Sequence, residues 1–579
     1  MNRILPSALA VTLTFVALPH ARALTAKPNV APVTTSSMGN QSSYINTTQV
    51  LDLAQFFKDP DASAAVQVTT SLGAMNFTLD GETTPITVAN FLNYVNSGRY
   101  FTSDPNNGGE QASLFVHRAV ANFVIQTGGF LGTVNPDGSG KILPTQVLTD
   151  AAIPNEPHIS NKRGTIAMAK LGGDPNSATS QWFINLADNS ANLDAQNGGF
   201  TVFGRVAGNG MSVADAISKL TIVNAGSPFD SLPVRNYTAG DAIRLPNIVS
   251  LPSISQISPL VFSATSSNQS VATVTISGTH LLIKGRTLGT SQIKVTATDL
   301  DGLAVSQTFT ATITSAPARL TNISSRAQCA TGDNVLIGGF IVRGSGNKRL
   351  IVRAIGPDLA NFGVKNPIAD PSFTLHDVNA PFAANDNWGD DPQQQLVNDL
   401  GRAPVYPNEA ATLTTVAATP DGSKYTAVMV NNQGVNGIGL VEIFDYDSGA
   451  GSTLHNISSR GVVGTGDNIM IGGFIISGDG TRRIITRGLG PSLAEAGLSD
   501  VLENPVIDLR DVNGNRLSYN EGWQTGPDAE EIKSYKLDPK DPNESALAAT
   551  LRAGNYTVLL SGMGIRPTGQ ALLEIYDGP

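Results

Sequence analysis

One stretch of the chain occurs twice in its carboxyl-terminal half. NISSRAQCATGDNVLIGGFIVRG, at residues 322–344, recurs as NISSRGVVGTGDNIMIGGFIISG at residues 456–478. A repeat of this length indicates two copies of one structural unit, which we place at residues 317–448 and 452–579. Runs of Val, Ile and Thr broken by Gly, Asn and Asp predict that both copies are β-rich. Further pairs that recur in the same order are Arg353 and Arg487, Gly356-Pro357 and Gly490-Pro491, Trp388 and Trp523, Asn408-Glu409 and Asn543-Glu544, and Glu442 and Glu574.

The rest of the 579 residues is long enough for further domains. Residues 24–47 are rich in Thr, Ser, Asn and Pro, which predicts a flexible lead. We expect a first folded domain at 48–250. Short β-rich runs with a turn at Asp301-Gly302 resemble an immunoglobulin-like or cadherin-like sandwich at 255–315.

The amino-terminal residues have the three-part layout of a secretory signal peptide. Arg3 precedes an apolar run from Ile4 to Leu18, and Ala21-Arg22-Ala23 follows as a small-x-small cleavage site. A structural helix is the alternative. We therefore expect a signal peptide at 1–23 and export to the periplasm or the medium. No later run reaches about 18 apolar residues, so we expect no membrane insertion after cleavage.

Composition argues against several classes of function. The formal net charge of −10, without a basic stripe, makes nucleic acid and anionic membranes poor partners. The six histidines show no metal-ligand spacing, so we predict no metal and no cofactor. DVNGN at 511–515 resembles part of a calcium loop but lacks its later ligands, which favours a β-turn. Cys329, the only cysteine, is either a buried small side chain, which we favour, or a reactive thiol.

Local patterns in the first domain predict mixed β and α structure. Apolar and polar residues alternate over 66–81 around a Leu72-Gly73 turn, as in a β-hairpin. Apolar residues at helical spacing predict a helix over 84–98, ending at a glycine. A second helix is expected near Ser212–Leu220. The pattern indicates a barrel-like α+β domain.

Three segments of this domain, at 114–130, 161–189 and 198–206, provide an unusual set of side chains. They contain a fixed cation, several apolar residues and two amides, but no acid–base pair and no metal cluster. This inventory suits chemistry that breaks no covalent bond. The residues that stand out are Arg118, Phe123, Gln126, Met168-Ala169, Gln181 and Phe183.

The order and spacing of these residues resemble the cyclophilin family of peptidyl-prolyl cis-trans isomerases over roughly residues 50–250. The resemblance implies an eight-stranded β-barrel with two capping helices, so the expected fold is multidomain and mainly β, with β-sandwich-like modules after the barrel. It also implies that proline-containing polypeptides are the substrates. The implied catalytic residues are Arg118, Gln126 and Phe123, and the implied substrate-binding residues are Val124, Met168, Ala169, Gln181, Phe183, Leu193 and Phe200.

Rotation of a prolyl peptide bond requires loss of amide resonance, with a barrier of about 18–20 kcal/mol. In the twisted state the prolyl nitrogen regains a lone pair, so a donor placed there binds the transition state best. Arg118 is the candidate donor, because a guanidinium stays charged and presents several N–H groups. One such bond provides about 1.5–3 kcal/mol, so an apolar pocket must contribute the remainder.

The chain departs from the family pattern at four positions. Val116 stands where the family usually has Phe, and Lys170 occupies a position often filled by Asn or Arg. Asn192 replaces a frequent aromatic residue, and Phe200 a frequent His or Tyr. The change at Asn192 should weaken cyclosporin-type inhibition. Because Arg118 and Gln126 are retained, we still expect isomerase activity.

Two functions are compatible with this sequence. The first is an exported prolyl isomerase that assists protein folding. The alternative is a cell-surface or extracellular binding protein whose cyclophilin-like domain captures proline-containing segments, with incidental turnover. For residues 317–579 we expect a structural or adhesive role, with an envelope or surface partner, because the duplicated region shows no catalytic constellation.

Overall fold

A computed structural model describes residues 28–447 and 451–578, so the expected signal peptide at 1–23 lies outside the described residues. The described residues form two compact units. The first consists of 28–33, 58–261 and 297–305, and the second contains the remaining described residues. The mainly β, multidomain fold expected from the sequence is confirmed.

The elements up to residue 257, in chain order, are β1 Val33–Thr34, β2 Gln41–Tyr44, β3 Thr48–Asp52, β4 Phe57–Lys58, β5 Ala64–Thr70, β6 Gly73–Leu79, α1 Pro85–Asn96, β7 Phe101–Ser103, β8 Gln111–Phe115, β9 Arg118–Val120, β10 Val124–Thr127, β11 Phe130–Val134, β12 Ile142–Gln146, β13 Thr165–Met168, β14 Trp182–Asn185, α2 Ser190–Leu193, β15 Val202–Ala207, α3 Gly210–Ser218, β16 Thr221–Val223, β17 Leu232–Val234, β18 Ser250–Leu251 and β19 Ser253–Ile257.

The remaining elements are β20 Leu260–Ser266, β21 Ala272–Ser277, β22 His280–Gly285, β23 Gly289–Asp299, β24 Ala304–Thr314, β25 Arg319–Cys329, β26 Leu336–Gly344, β27 Asn347–Ile355, β28 Pro371–His376, β29 Pro381–Asn385, α4 Gln394–Asp399, β30 Ala410–Ala417, β31 Ser423–Asn431, β32 Gly437–Asp445, β33 Ser452–Val463, β34 Met470–Leu489, β35 Pro505–Asp511, β36 Arg516–Asn520, α5 Ala529–Ser534, β37 Ser545–Gly562 and β38 Gly569–Asp577.

The described residues of the first unit contain two large β-sheets and the two-stranded sheet β16-β17. One large sheet has the strand order β19-β5-β6-β15-β13-β14-β10-β9, and the other the order β12-β11-β8-β18 with β7 beside β8. Side chains from both sheets, among them Val66, Leu114 and Ile166, share one buried core. The predicted hairpin is confirmed, because β5 and β6 pair through a tight turn that ends at Gly73.

Helices α1 and α3 cover this core, as the sequence predicted. Pro85 starts α1 with a backbone already suited to the first helical turn, and Gly98, with φ of +69°, follows its end. Val88, Phe91 and Val95 are the buried face of α1. Because these three residues recur at helical spacing, they lie on one face of α1, which packs against the core between the sheets.

In the second unit, two strands from much earlier in the chain pair with strands of residues 262–296 and 306–314. Strand β2 pairs in parallel with β24, and β3 pairs antiparallel with β22. The sequence predicts a flexible lead at 24–47, but the described part of this segment contains strand β2. Regular structure therefore begins before residue 48, where the first domain is expected to start. Polar composition suggested flexibility, but the backbone groups of these residues complete two sheets.

The two sequence copies interlock in the second unit. Strand β25 lies between β32 of its own copy and the first half of β34 from the other copy. In the equivalent arrangement, β33 lies between β38 and β26. The result is one continuous 14-stranded sheet that contains strands of both copies. Equivalent residues such as Phe340 and Phe474 belong to one shared core.

The landmarks shared by the two copies are structural. Glu409 is fully buried and accepts hydrogen bonds from the backbone N–H groups of Gly356 (3.1 Å) and Asp358 (2.9 Å), and burial raises its pKa. Glu544 accepts from Gly490 and Ser492 in the same way. These bonds anchor the short 3₁₀ helices Pro357–Phe362 and Pro491–Ala496. The recurring Arg353–Glu442 and Arg487–Glu574 pairs are ion pairs between adjacent strands.

Two smaller expectations are confirmed in this unit. Cys329 is buried as a free thiol, with its Sγ 3.4 Å from the carbonyl oxygen of Met429, and burial raises its pKa. DVNGN forms the turn between β35 and β36, where the Asp511 carboxylate accepts the backbone N–H groups of Asn513 and Asn515.

Candidate active site

Three neighbouring strands of the first unit bring the predicted catalytic residues to one face of the sheet. In the β9-β10-β14 register, Gln126 lies opposite Arg118 on one side and opposite Phe183 on the other. Residues that face each other across antiparallel strands point to the same side of the sheet. Arg118, Gln126 and Phe183 therefore share one face, although 65 positions of sequence separate the first from the last.

Two amides form the polar part of the site. The Nε2 atom of Gln126 donates a hydrogen bond to Oε1 of Gln181 at 2.9 Å. Gly129 permits this arrangement, because a Cβ atom there would lie 2.8 Å from Cδ of Gln181. The sequence QTGG at 126–129 is thus explained by close packing against Gln181.

Arg118 is half-buried and lies beside an aromatic ring. Its Cζ atom is 5.9 Å from the ring centroid of Phe123. Within the part of the chain that the structure describes, no group accepts a hydrogen bond from its guanidinium and no carboxylate forms an ion pair with it. The N–H groups of Arg118 are therefore available to a ligand.

A compact apolar cluster lies beside these polar groups. Val124, Phe183 and Leu193 are buried in it, and Phe123, Ala169 and Phe200 are partly exposed at its edge. The rings of Phe183 and Phe200 meet edge to face, with their centroids 5.8 Å apart. This cluster is separate from the core between the two sheets, and it could hold a small apolar ring.

Met168 is the one predicted site residue that the structure places elsewhere. Its side chain is 1% exposed and packs in the core between the sheets. Side chains alternate along a strand, so Ala167 belongs to the site cluster while Met168 points to the opposite side. The assignment of Met168 to substrate binding is therefore corrected, whereas Ala169 lies at the cluster edge as expected.

The histidine next to Arg118 is not suited to proton transfer. Burial, together with the charge of Arg118, lowers the pKa of His117 to about 4. Its imidazole is therefore neutral at neutral pH, and it packs edge to face on Phe130 with centroids 5.2 Å apart. This agrees with a site that works without acid–base catalysis.

Asn189 supports the site but was not predicted from the sequence. Its Nδ2 atom donates to the carbonyl oxygen of Phe123 at 2.9 Å and to Oδ1 of Asn185 at 2.7 Å. These bonds hold the backbone that carries Phe123. No sequence pattern marks this role, because Phe123 lies far away along the chain.

Lys170 shapes the rim of the apolar cluster. Its ammonium donates to the carbonyl oxygens of Asn197 (2.9 Å) and Gly199 (2.6 Å) and lies 4.8 Å from the ring centroid of Phe200. Burial lowers its pKa. The departure at Lys170 thus brings a second cation to the same cluster as Arg118.

Comparison with known proteins identifies the family. The model for the family "cyclophilin type peptidyl-prolyl cis-trans isomerase/CLD" matches residues 65–239. Peptidyl-prolyl cis-trans isomerase A of Dickeya dadantii is 39% identical over 175 residues, which are 30% of this chain and 79% of that protein. This chain belongs to the cyclophilin-type peptidyl-prolyl cis-trans isomerase family.

Other relatives of this cyclophilin match the same region. A peptidyl-prolyl cis-trans isomerase of Acinetobacter baylyi is 37% identical over 162 residues, which are 28% of this chain and 74% of that protein. The match to a crystal structure of a cyclophilin-type isomerase from Cryptosporidium parvum has 21% sequence identity and a TM-score of 0.23. It covers 34% of this chain and 98% of that chain. The residues that the family model matches, 65–239, lie within the first unit. No helix among the described residues is both long and apolar enough to cross a membrane.

Proposed function

We propose that this cyclophilin is an exported enzyme that isomerises X-Pro bonds in polypeptide substrates and thereby assists their folding outside the cytoplasm. The observation that carries the proposal is the guanidinium of Arg118, which has no partner among the described residues and lies next to an apolar cluster. A cation with free donors beside a ring-sized apolar site matches the needs of a twisted prolyl bond.

In the proposed mechanism, the proline ring packs against Phe123, Phe183 and Leu193. The paired amides of Gln126 and Gln181 hold the substrate backbone, together with the backbone of Ala169. Arg118 then donates to the prolyl nitrogen, which becomes a good acceptor only when the amide twists. No proton is transferred, in agreement with the neutral imidazole of His117.

Arg118 provides only part of the required rate enhancement. A charge-assisted hydrogen bond contributes about 1.5–3 kcal/mol, or roughly 10- to 100-fold in rate. The apolar cluster contributes by removing water from the amide, because a planar, charge-separated amide is better solvated by water than a twisted one. We therefore expect slow residual turnover after loss of Arg118.

A protease-coupled assay on a cis-prolyl peptide tests the activity. Arg118→Ala should lower kcat/KM by about 10- to 100-fold, because it removes the transition-state donor. Arg118→Lys keeps the charge but not the guanidinium fork, and we expect an intermediate rate.

Arg244→Ala is the matched control for this assay. Arg244 is an exposed arginine of the same unit that donates to the carbonyl oxygen of Ser139. This variant should keep the wild-type rate. Equal rates for wild type and Arg118→Ala would refute the proposed mechanism and favour a binding role.

Export is supported by the sequence alone, through Arg3, the apolar run to Leu18 and the Ala21-Arg22-Ala23 site. Expression in a bacterium with two membranes should yield a periplasmic or secreted protein whose first residue follows Ala23. Cell fractionation and amino-terminal sequencing provide the measurement. A cytoplasmic protein that retains the first 23 residues would contradict the proposal.

A further inference from the structure

The described part of the second unit contains a buried arginine whose charge has no direct partner there. Arg319, at the start of β25, is 8% exposed, and its Cζ atom lies 4.9 Å from the ring centroid of Tyr44. Within 28–447 and 451–578, its guanidinium donates no hydrogen bond and forms no ion pair. Buried arginines are normally paired, so these free donors require an explanation.

A small cavity adjoins Arg319. It has a volume of about 240 Å³, and Lys348, Arg482 and Ser452 also line it. Ser452 is 1% exposed, and its hydroxyl has no hydrogen-bond partner among the described residues. Three cations, the Asp577 carboxylate and a hydroxyl without a described partner therefore line one space that is partly open to solvent.

The carboxylates near this cavity do not cancel its positive charge. Asp445 accepts from Lys348 at 2.9 Å, and Asp577 accepts from Nε of Arg482 at 2.6 Å. Each carboxylate thus neutralises one cation, and Arg319 remains in excess. Burial raises the pKa of Asp445, and the charges of Lys348 and, to a smaller extent, Arg319 oppose this effect.

The cavity is built from both sequence copies. Lys348 and Arg482 occupy equivalent positions of the two copies, as do Asp445 and Asp577. Since strands of both copies belong to one continuous sheet, these side chains are held on a common framework. A preorganised cluster of donors binds an anion without the cost of assembling it.

Arg319 also lines a larger cavity of about 500 Å³. Asp445 and Tyr446 are among the residues that line this second space, and the buried atoms Oδ2 of Asp445 and Oη of Tyr446 have no hydrogen-bond partner among the described residues. An unpaired carboxylate oxygen accepts hydroxyl donors, and a phenol can donate or accept. The larger cavity therefore suits a hydroxylated molecule more than an apolar one.

We propose that Arg319 is the central residue of a binding site for an oxyanion group, either a free phosphate or sulfate ion or the same group carried on a sugar. The guanidinium fork of Arg319, the ammonium of Lys348 and the hydroxyl of Ser452 hold the oxyanion in the small cavity. The hydroxyl groups of a sugar ester are received by Asp445 and Tyr446 in the larger one.

Calorimetric titration of the full chain with inorganic phosphate, inorganic sulfate and glucose 6-phosphate tests this site. Wild type should bind at least one of them at a single saturable site. Arg319→Gln should weaken that binding by about 10- to 100-fold, and Ser452→Ala by about 2- to 10-fold, because each removes a donor to the anion. Tighter binding of the ester than of phosphate identifies a sugar-borne group, and equal binding identifies the free ion.

Arg343→Gln is the matched control, because Arg343 is an exposed arginine on β26 that does not line the small cavity. Its loss should leave affinity within about twofold, as for a distant screened charge. Far-ultraviolet circular dichroism checks that each variant folds. If Arg319→Gln does not fold, Arg319→Lys and Ser452→Ala decide the matter. Absence of saturable binding by wild type, or equal weakening by Arg343→Gln, would overturn the proposal.

Discussion

At the scale of single residues, Met168 offers a direct test of how the site is divided from the core. Met168→Ala should lower the free energy of unfolding by about 2–5 kcal/mol, because it leaves a cavity between the sheets. The kcat/KM of the folded enzyme should stay within about twofold of wild type. Isomerase activity measured against urea concentration reports both quantities for the first unit alone.

Val124→Ala is the comparison for Met168→Ala, because Val124 is equally buried but belongs to the site cluster. It should lower kcat/KM as well as stability. The opposite result, in which Met168→Ala reduces kcat/KM without reducing stability, would restore Met168 to the substrate site.

At the scale of elements, the sequence predicts what depends on local pattern. Helix α1 and the β5–β6 hairpin follow from apolar spacing and from glycine at the turn, and the order of Arg118, Gln126 and Phe183 is enough to indicate the site. The role of Asn189 and the strand β2 could not be predicted in this way. Both depend on partners far along the chain, and their own residues are polar and without periodicity.

The position of Met168 shows that a family resemblance alone does not establish which side of a strand faces the ligand. The resemblance assigns Met168 and Ala169 to the site together, because they are adjacent in the family pattern. Adjacent residues on a strand point in opposite directions, so only one of two such neighbours can face the ligand. The register between β13 and β14, which only the structure shows, decides which one does.

At the scale of the whole molecule, the exchange of β25 and β33 implies that the two sequence copies unfold together. Phe474→Ala, in the second copy, should lower the free energy of unfolding by about 3–5 kcal/mol, because Phe474 lies in the shared core. Two of the three tryptophans, Trp388 and Trp523, report on the first and second copy respectively. Urea unfolding followed by fluorescence in Trp388→Phe and Trp523→Phe backgrounds separates their signals from each other.

If the copies form one cooperative unit, Phe474→Ala should shift the Trp388 and Trp523 transitions to lower urea by the same amount. Val512→Ala is the control, since Val512 is 71% exposed on the second copy and its loss should shift neither transition. Independent copies would instead show a shift of the Trp523 transition alone. Strand β26 of the first copy pairs with β33 of the second, and the first half of β34 in the second copy pairs with β25 of the first. Cooperative unfolding would mean that neither copy can pair these strand edges by itself. Duplication then has a structural reason, because each copy supplies a strand that the other needs.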